Sequence, residues 1–263
     1  MRNIIVCMKV VPKSDAVFFD PVTKRLDRTK AENQINDADK NALETALKIR
    51  EKYGGKVIVL SMGPQFFDQF LKVAIAMGAD DAILLSDRLF GGSDTFPTAL
   101  ILSTAIKKIG DYDLVLTGEE SSDAGLGQLP AQIAEFLELP QVLFVSSMDL
   151  SENKIIARRT IKGGYEIVET DMPAVLSIEL GINQPRFPDF RKKRWADKEF
   201  QLKVWSNGDL GLSEDEVGLK GSYTSVRRLV EIQPSTRKKI FIEGTSEEKV
   251  EKMIEIINER MNK

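Results

Sequence analysis

The chain contains no histidine among its 263 residues. Ser-His-Asp hydrolases, Cys-His proteases and His-ligated zinc sites all need an imidazole, so the sequence excludes these classes. Cysteine is nearly absent too, because Cys7 stands alone and cannot form an internal disulfide. Since Cys7 lies in an apolar, β-branched run, we expect a buried and inert thiol in a reducing compartment.

The chain also lacks any hydrophobic run long enough to span a bilayer, and no cleavable apolar segment follows Arg2. We therefore expect a cytoplasmic protein without direct membrane insertion. The net charge is only -3, which argues against nucleic acid as a partner, since that role needs a strongly basic face. The most basic segment, residues 191–194, is either a solvated loop or a docking site for an acidic partner.

Hydrophobic content is 42%, enough to bury a sizeable core in a chain of this length. Short apolar runs alternate with amphipathic stretches, which predicts an α/β fold: a doubly wound, mostly parallel sheet with helices on both faces. The predicted strands are residues 4–11, 57–61, 82–85, 114–117 and 142–145, and the predicted helices are residues 39–51, 65–77, 95–108 and 127–137.

The pattern changes after Lys154, where two strands, 155–160 and 165–170, flank a Gly-Gly turn and a further strand follows at 174–180. We assign residues 1–181 to one α/β domain that includes this hairpin and strand at 154–180. Residues 182–263 lose clear periodicity and are predicted to form a docking loop and an extended C-terminal arm. The arm ends in a helix opened by a capping box, with an apolar stripe at Val250, Met253, Ile254 and Ile257.

One segment in the hairpin is distinctive: Gly163-Gly164-Tyr165-Glu166-Ile167-Val168, preceded by Arg159 and followed by Pro173-Ala174-Val175-Leu176-Ser177. By itself a Gly-Gly pair indicates only a turn, because glycine tolerates positive φ. Together with residues 4–12, 35–44, 61–64, 76–80 and 118–132, in that order, it resembles the beta subunit of electron-transfer flavoproteins. Lys162 departs from the pattern, because the family usually has an acid there.

The resemblance implies a nucleotide- or flavin-binding domain of the adenine nucleotide alpha hydrolase-like type, and a heterodimer with an alpha subunit around which the C-terminal arm wraps. Two rival classes are a stand-alone adenine-nucleotide-binding regulatory module and a nucleotide-hydrolysing or adenylating enzyme. A stand-alone module would not need a long arm, so the arm argues against that class. The enzyme class is disfavoured because the chain lacks both a phosphate-binding lysine motif and histidine.

A doubly wound sheet binds ligands at the carboxyl ends of its strands, where the strand order reverses. The loop at residues 121–132 suits a phosphate, because small residues let the backbone approach and a helix N-terminus attracts anions. Alternatively it is only a flexible entry to a helix. In this loop Glu119, Glu120, Leu126 and Pro130 depart from the family. The resemblance assigns cofactor contacts at this edge to Cys7, Lys9, Asn36, Asp39, Met62, Ser121, Ser122, Asp123, Ala124, Gly125, Leu126, Gly127, Gln128 and Gln132.

The loop at residues 85–95 resembles that of electron-bifurcating family members, which hold a second FAD in the beta subunit where ordinary members hold AMP. Asp94, Thr95 and Thr98 are therefore predicted to lie beside a flavin, although Asp94 could merely cap a helix. We favour FAD, with AMP as the alternative. The bifurcating type would take a hydride from NADH and send its two electrons to different acceptors. The chemistry would belong to the cofactor, so no catalytic residue is predicted.

The resemblance places recognition of a redox partner, of the acyl-CoA dehydrogenase or quinone oxidoreductase type, after the motif Asn183-Gln184-Pro185-Arg186. Aromatic and basic residues there suit an interface. The predicted docking residues are Phe187, Phe190, Arg191 and Trp195. We expect these aromatic side chains, and that of Trp205, to be exposed in the isolated chain.

Overall fold

The computed structural model describes residues 1–13, 32–225 and 241–261. Its strands are β1 (Arg2–Cys7), β2 (Val10–Pro12), β3 (Asn33–Ile35), β4 (Gly55–Met62), β5 (Asp81–Leu85), β6 (Leu114–Gly118), β7 (Gln141–Leu150), β8 (Lys154–Ile161), β9 (Gly164–Asp171), β10 (Ala174–Ile178) and β11 (Lys203–Trp205). Its α-helices are α1 (Asp37–Tyr53), α2 (Asp68–Met77), α3 (Thr95–Ile109), α4 (Leu129–Leu137), α5 (Phe190–Lys198), α6 (Asn207–Leu210), α7 (Gly218–Gly221) and α8 (Ser246–Met261). Short 3₁₀ turns lie at Gln65–Phe67 and Arg88–Phe90.

Within the described residues, the main sheet has nine strands in the order β11-β5-β4-β1-β6-β10-β7-β8-β9. The strands from β11 to β7 are parallel, and β8 and β9 extend the sheet as an antiparallel hairpin. The chain runs outward from β1 to β4 and β5, and then returns to place β6 on the other side of β1. The strand order therefore reverses between β1 and β6, which confirms the predicted doubly wound α/β class.

Two apolar layers cover the sheet, because alternate strand residues point to opposite faces. On β1, Ile4 and Val6 face the layer that includes α1 and α2, whereas Ile5 and Cys7 face the layer that includes α3 and α4. Burial on both faces explains why the strands read as continuous apolar runs. Cys7 is buried as expected.

Near the candidate site, two element boundaries in the structure differ from the predicted ones. The first apolar run, residues 4–11, is interrupted at Met8 and Lys9, so β1 ends at Cys7 and a separate two-stranded sheet forms from β2 and β3. The fourth helix starts at Leu129 rather than at residue 127, because Gly127 has φ 60° and cannot lie in a right-handed helix.

Residues 182–225 are less irregular than the sequence indicates. Contacts divide the chain into a compact unit of residues Met1–Arg227 and a second unit of residues Arg228–Lys263. The first unit thus extends past the boundary predicted after residue 181. β11 pairs with β5, so backbone groups on the outer side of β5 gain hydrogen-bond partners. The three residues of β11 do not by themselves predict this long-range pairing. Trp205 is correspondingly half-buried against the α3 layer, not exposed as predicted.

The second unit contains α8, and its described helix begins where the capping box predicts. The Thr245 amide donates to Glu248 Oε2 at 2.8 Å, and the Glu248 amide donates to Thr245 Oγ1 at 3.4 Å. The apolar stripe of this helix is exposed. In the described residues, no helix combines the length and the hydrophobicity that crossing a membrane would require.

Candidate functional site

A buried carboxylate braces the two strand ends at the point where the strand order reverses. Asp39 lies in the first turn of α1, and its Oδ2 accepts a hydrogen bond from the Lys9 amide at 2.7 Å, just after β1. Its Oδ1 accepts from the Gly118 amide at 3.0 Å, at the end of β6. One side chain therefore fixes the separation of β1 and β6 at the mouth of the crevice.

Glycine at position 118 allows α1 to come this close to the sheet. A Cβ atom on Gly118 would lie 2.5 Å from Asp39 Oδ1 and 2.7 Å from the Cβ of Ala38. Such distances force the helix away from the strand. The sequence pattern includes Gly118 at the edge of a matched segment but gives no sign of this packing role, which depends on a residue 79 positions away.

Burial also changes the acidity of two groups beside the crevice. Burial raises the pKa of Asp39 to about 6, although hydrogen bonds from the Lys9 amide, the Asn36 side chain and the Gly118 amide oppose the rise. Burial, and then the nearby charge of Asp39, raise the pKa of the Cys7 thiol to about 12. Cys7 is thus a neutral thiol near pH 7 and is poorly suited to nucleophilic chemistry.

The loop after β6 is tied to β1 and α1 by side chains that the sequence predicted for this site. Asn36 Nδ2 donates to the Glu120 carbonyl at 2.8 Å, and its Oδ1 accepts from the Ser122 amide at 3.1 Å. Lys9 Nζ donates to Ser121 Oγ at 3.1 Å and forms an ion pair with Asp123 Oδ1 at 2.6 Å. The structure therefore brings Lys9, Asn36, Asp39 and residues 121–123 into one network.

Two glycines shape the remainder of this loop. Gly125 and Gly127 both have φ 60°, a left-handed conformation that residues with a Cβ adopt only at a cost. If each glycine carried a Cβ, the nearest atoms would be Glu120 Oε2 at 3.9 Å and the Glu119 carbonyl oxygen at 3.6 Å, respectively. A Cβ at either position would therefore make only ordinary van der Waals contacts. Ala124, Leu126 and Gln128 are exposed along the same loop, so its backbone is accessible to a ligand.

The N-terminus of α4 follows directly and offers both donors and an acceptor. Within the described chain, the N-cap residue Gln128 makes no capping hydrogen bond through its side chain. Pro130 has no N–H, so the first-turn amides available to an anion are those of Leu129 and Ala131. In the same turn, Gln132 Oε1 is buried and has no hydrogen-bond partner among the described residues. A buried acceptor of this kind suits a ligand that carries a donor, such as a sugar hydroxyl.

Acidic groups also lie around the loop. Burial raises the pKa of Glu119, helped by the charges of Glu179 and Glu120 and opposed by a hydrogen bond from the Leu180 amide. The negative charges of these acidic side chains oppose phosphate binding, whereas the Lys9 ammonium and the helix amides favour it. In the described part of the chain, no cluster of three or more acidic or cysteine side chains is arranged to hold a metal ion.

A second group of predicted residues lies at the N-terminus of α3. Asp94 Oδ1 accepts from the Phe96 amide at 2.9 Å, so Asp94 does cap the helix. Its Oδ2 accepts from the amide and the hydroxyl of Thr224, and Thr98 Oγ1 donates to the Asp94 carbonyl at 2.6 Å. The hydrogen bonds of Asp94 and Thr98 thus run within α3 and to residues 222 and 224 rather than to the loop at 121–128. Thr95 is the first residue of the helix.

Met62 is the last residue of β4, half-buried and packed against the α3 layer. It lies in register with Leu85 at the end of β5. It is therefore at the carboxyl edge of the sheet, as the sequence predicts.

The docking motif is anchored to α1 by polar contacts, most of them partly buried. The side chain of Asn183 donates to the Asn41 carbonyl at 3.0 Å and to Thr45 Oγ1 at 2.8 Å, while Asn41 Nδ2 donates back to Asn183 Oδ1 at 2.9 Å. Arg186 donates to both oxygens of the buried Glu44, at 2.7 and 3.0 Å, and to Glu51 Oε1 at 2.5 Å. These contacts hold the start of the loop rigidly.

Beyond this anchor the predicted docking side chains are exposed. Phe187 is 90% and Phe190 is 81% exposed, and Trp195 is 46% exposed with its ring 5.9 Å from that of Phe200. The sequence did not predict a helix here, yet α5 starts at Phe190 because Asp189 caps it by accepting from the Lys192 amide at 2.8 Å. A groove of about 510 Å³ is lined by Phe190, Arg191, Arg194, Trp195, Lys198 and Glu199.

Comparisons with known proteins agree on one family. The electron transfer flavoprotein domain family matches residues 23–206. The chain is 42% identical over 260 residues to the electron transfer flavoprotein subunit beta of Thermoanaerobacterium thermosaccharolyticum, covering 98% of both chains. It is 39% identical to the caffeyl-CoA reductase-Etf complex subunit CarD of Acetobacterium woodii, over 86% of both chains. It is also 36% identical to protein FixA of Azotobacter vinelandii, covering 91% of this chain and 88% of the relative.

Proposed function

Because the chain belongs to the electron transfer flavoprotein family as a beta subunit, we propose that it binds FAD in the crevice between β1 and β6 and takes part in flavin-based electron bifurcation. As a beta subunit, the chain acts in electron transfer together with an alpha subunit.

The network at the reversal of strand order carries the proposal. Asp39 spaces the strand ends, Asn36 holds the loop at residues 120–122, and Lys9 places a positive charge beside it. Gly125 and Gly127 let the backbone approach a diphosphate, and the first turn of α4 supplies amide donors. Lys9 would compensate the charge of Asp123 and of the phosphates together. The full set of proposed contacts is the one predicted from the sequence at this edge, with Gly118 added as a packing residue.

The width of the candidate site favours FAD over AMP. The candidate residues span a wide edge of the sheet, from α4 to the N-terminus of α3 at Asp94, Thr95 and Thr98, which suits a dinucleotide better than a mononucleotide. Bound FAD would supply hydride acceptance from NADH and single-electron transfer.

The chain's own residues would bind and orient the cofactor rather than exchange protons with a substrate. The Cys7 thiol stays protonated near pH 7 because burial raises its pKa, and both oxygens of Asp39 are engaged by backbone amides. Neither group is therefore available as a nucleophile or a general base. Their role is to keep the strand ends and the phosphate loop in a fixed arrangement before the cofactor arrives.

Structural AMP is the second candidate, and the charge of the loop favours it. Glu119, Glu120 and Asp123 lie close to the proposed phosphate site, and a monophosphate brings less negative charge toward them than a diphosphate does. In that case the chain would shape the flavin site of the alpha subunit without binding flavin itself.

We further propose that Phe187, Phe190, Arg191 and Trp195 dock a redox partner of the acyl-CoA dehydrogenase or quinone oxidoreductase type. An anchored base, which Glu44 and Arg186 provide, reduces the entropy that exposed aromatic anchors lose on binding. The residues after 227, including α8, would then serve as an arm for the alpha subunit.

Cofactor analysis of the heterodimer purified with its alpha subunit tests the proposal. We expect two FAD molecules and no AMP per heterodimer, and bleaching of flavin absorbance when NADH is added. One FAD and one AMP, without a response to NADH, would contradict the bifurcating assignment and support the AMP alternative. The absence of both nucleotides from this subunit would contradict the site itself.

A further inference from the structure

Residues 218–225, which we call the strap, cross the loop before α3 at very close range. Gly218 has φ 61°, and a Cβ on it would lie 2.1 Å from the Leu89 carbonyl oxygen. On the other side, a Cβ on Gly92 would lie 2.5 Å from the side chain of Leu219. Glycine on both segments thus permits a contact that most side chains would prevent.

The strap holds Asp94 from two sides. The amide of Thr224 donates to Asp94 Oδ2 at 2.8 Å, and its hydroxyl donates to the same oxygen at 2.9 Å. The Asp94 amide in turn donates to Ser222 Oγ at 2.9 Å, and Ser222 Oγ donates to the Gly218 carbonyl at 2.7 Å. Since Oδ1 caps the Phe96 amide, the strap and the first turn of α3 share one carboxylate.

These contacts also set the charge on Asp94. Burial raises the pKa of Asp94, but hydrogen bonds from the Thr224 amide, the Phe96 amide and the Thr224 hydroxyl outweigh burial and lower the pKa overall. The carboxylate is thus held ionised and oriented at neutral pH.

An aromatic contact connects the strap to both helices of this layer. Between its two anchored neighbours, Tyr223 packs edge-on against Phe96 of α3, with ring centroids 4.8 Å apart. Phe96 packs against Phe136 of α4, with centroids 5.3 Å apart. The strap therefore contacts α3 directly and reaches α4 through Phe96, and the N-termini of these two helices carry the proposed cofactor contacts.

We propose that Ser222 and Thr224 are positioning residues of the cofactor site, acting through Asp94 to fix the first turn of α3 where the flavin ring would lie. The inference rests on the proposed function, because it assumes that Asp94, Thr95 and Thr98 border the cofactor. It adds a dependence of that site on a segment 130 residues further along the chain.

A double-mutant cycle tests whether Thr224 acts through Asp94. The variants are Thr224→Val, Asp94→Asn and the double variant, in the heterodimer, stripped of flavin and titrated with FAD. We expect Thr224→Val to weaken FAD binding to this subunit roughly tenfold, the usual effect of losing a hydrogen bond to a charged group. The double variant should bind no more weakly than Asp94→Asn alone, because both changes remove the same interaction. Thr104→Val, on the same helix with its hydroxyl bonded to the Leu100 carbonyl, is the matched control and should leave binding unchanged.

Hydrogen–deuterium exchange of the flavin-free heterodimer gives a readout that needs no cofactor. Thr224→Val should accelerate exchange at residues 94–98, whereas Thr104→Val should leave exchange there unchanged. Additive losses of FAD affinity in the cycle, or unchanged exchange at residues 94–98, would overturn the inference. A wild-type heterodimer without a second FAD would instead overturn the proposed function, and the exchange result would still decide whether the strap fixes α3.

Discussion

Two buried acids on α1, about one and a half turns apart, support two different regions of the molecule. Asp39 at the crevice accepts hydrogen bonds from backbone amides, which are neutral donors. Glu44 at the docking motif accepts from the Arg186 guanidinium, a full positive charge. The crevice is thus held by a carboxylate whose oxygens are satisfied by amides, while the docking loop is held by one that a guanidinium neutralises. A helix can brace a binding crevice with an acid whose pKa is raised, provided that backbone amides satisfy both oxygens.

The largest expected effect comes from removing the charge that compensates Glu44. Arg186→Ala leaves a buried carboxylate with its main partner gone, and should lower the free energy of unfolding by roughly 3 kcal/mol. Chemical denaturation of the purified chain measures this. Arg191→Ala, which removes an exposed arginine from α5, is the control and should change stability by less than about 0.5 kcal/mol. Equal effects of the two substitutions would mean that the guanidinium does not anchor the loop.

The crevice should respond to pH through Asp39. The pKa of Asp39 rises from its ordinary value of 3.8 to about 6 in the folded chain, so folding binds a proton between these values. The contribution of Asp39 to stability therefore falls as pH rises from about 4 to about 6, by on the order of 2–3 kcal/mol, and is constant above that range.

The difference between the wild-type chain and Asp39→Asn isolates this contribution, because other carboxylates titrate in both. The unfolding free energies of the wild-type chain and Asp39→Asn should converge or cross between about pH 4 and about pH 6. Their difference should stop changing above about pH 6. A difference that is independent of pH from about 4 to about 7 would show that Asp39 does not retain its proton on folding. Asp39→Asn should also weaken nucleotide binding, since an amide side chain provides one acceptor for two backbone amides.

A smaller effect separates backbone strain from loss of the cofactor. Gly127→Val and Gly211→Val both put a side chain at a positive φ, because the two glycines have φ of 60° and 70°, and each should lose about 1 kcal/mol of stability. Only Gly127→Val should lower the nucleotide content of the purified heterodimer, because Gly211 ends α6 and lies outside the phosphate loop. Equal nucleotide retention in both variants would argue against phosphate binding at residues 125–128.

The smallest effect on stability should come from the exposed side of the docking segment. Replacing Phe190 and Arg191 together by alanine should change the free energy of unfolding by less than about 0.5 kcal/mol, since both side chains are exposed. Electron delivery to the redox partner should nevertheless fall, while flavin content stays constant. A rapid-mixing assay of partner reduction, with absorbance for flavin, checks both. Loss of flavin would show that the segment supports the cofactor site rather than a partner.

The sequence alone determined the features that depend on short stretches of chain. Strand and helix alternation, the hairpin around Gly163 and the capping box at Thr245 follow from local periodicity and turn chemistry. The ordered motifs identified the family and brought Lys9, Asn36 and Asp39 together with residues 121–123. The predicted grouping of these residues agrees with the structure, because the loops that follow parallel strands lie at one edge of the sheet.

Tertiary structure decided what each of these residues contacts. The sequence placed Asp39 among the cofactor contacts, yet its oxygens are engaged by the Lys9 and Gly118 amides. It predicted a docking loop and an arm for residues 182–263, and within that range β11 joins the sheet and the strap holds Asp94. Such pairings join residues as far apart as 79 and 130 positions. Their energy depends on which groups the fold leaves buried and unpaired, and no local pattern encodes that.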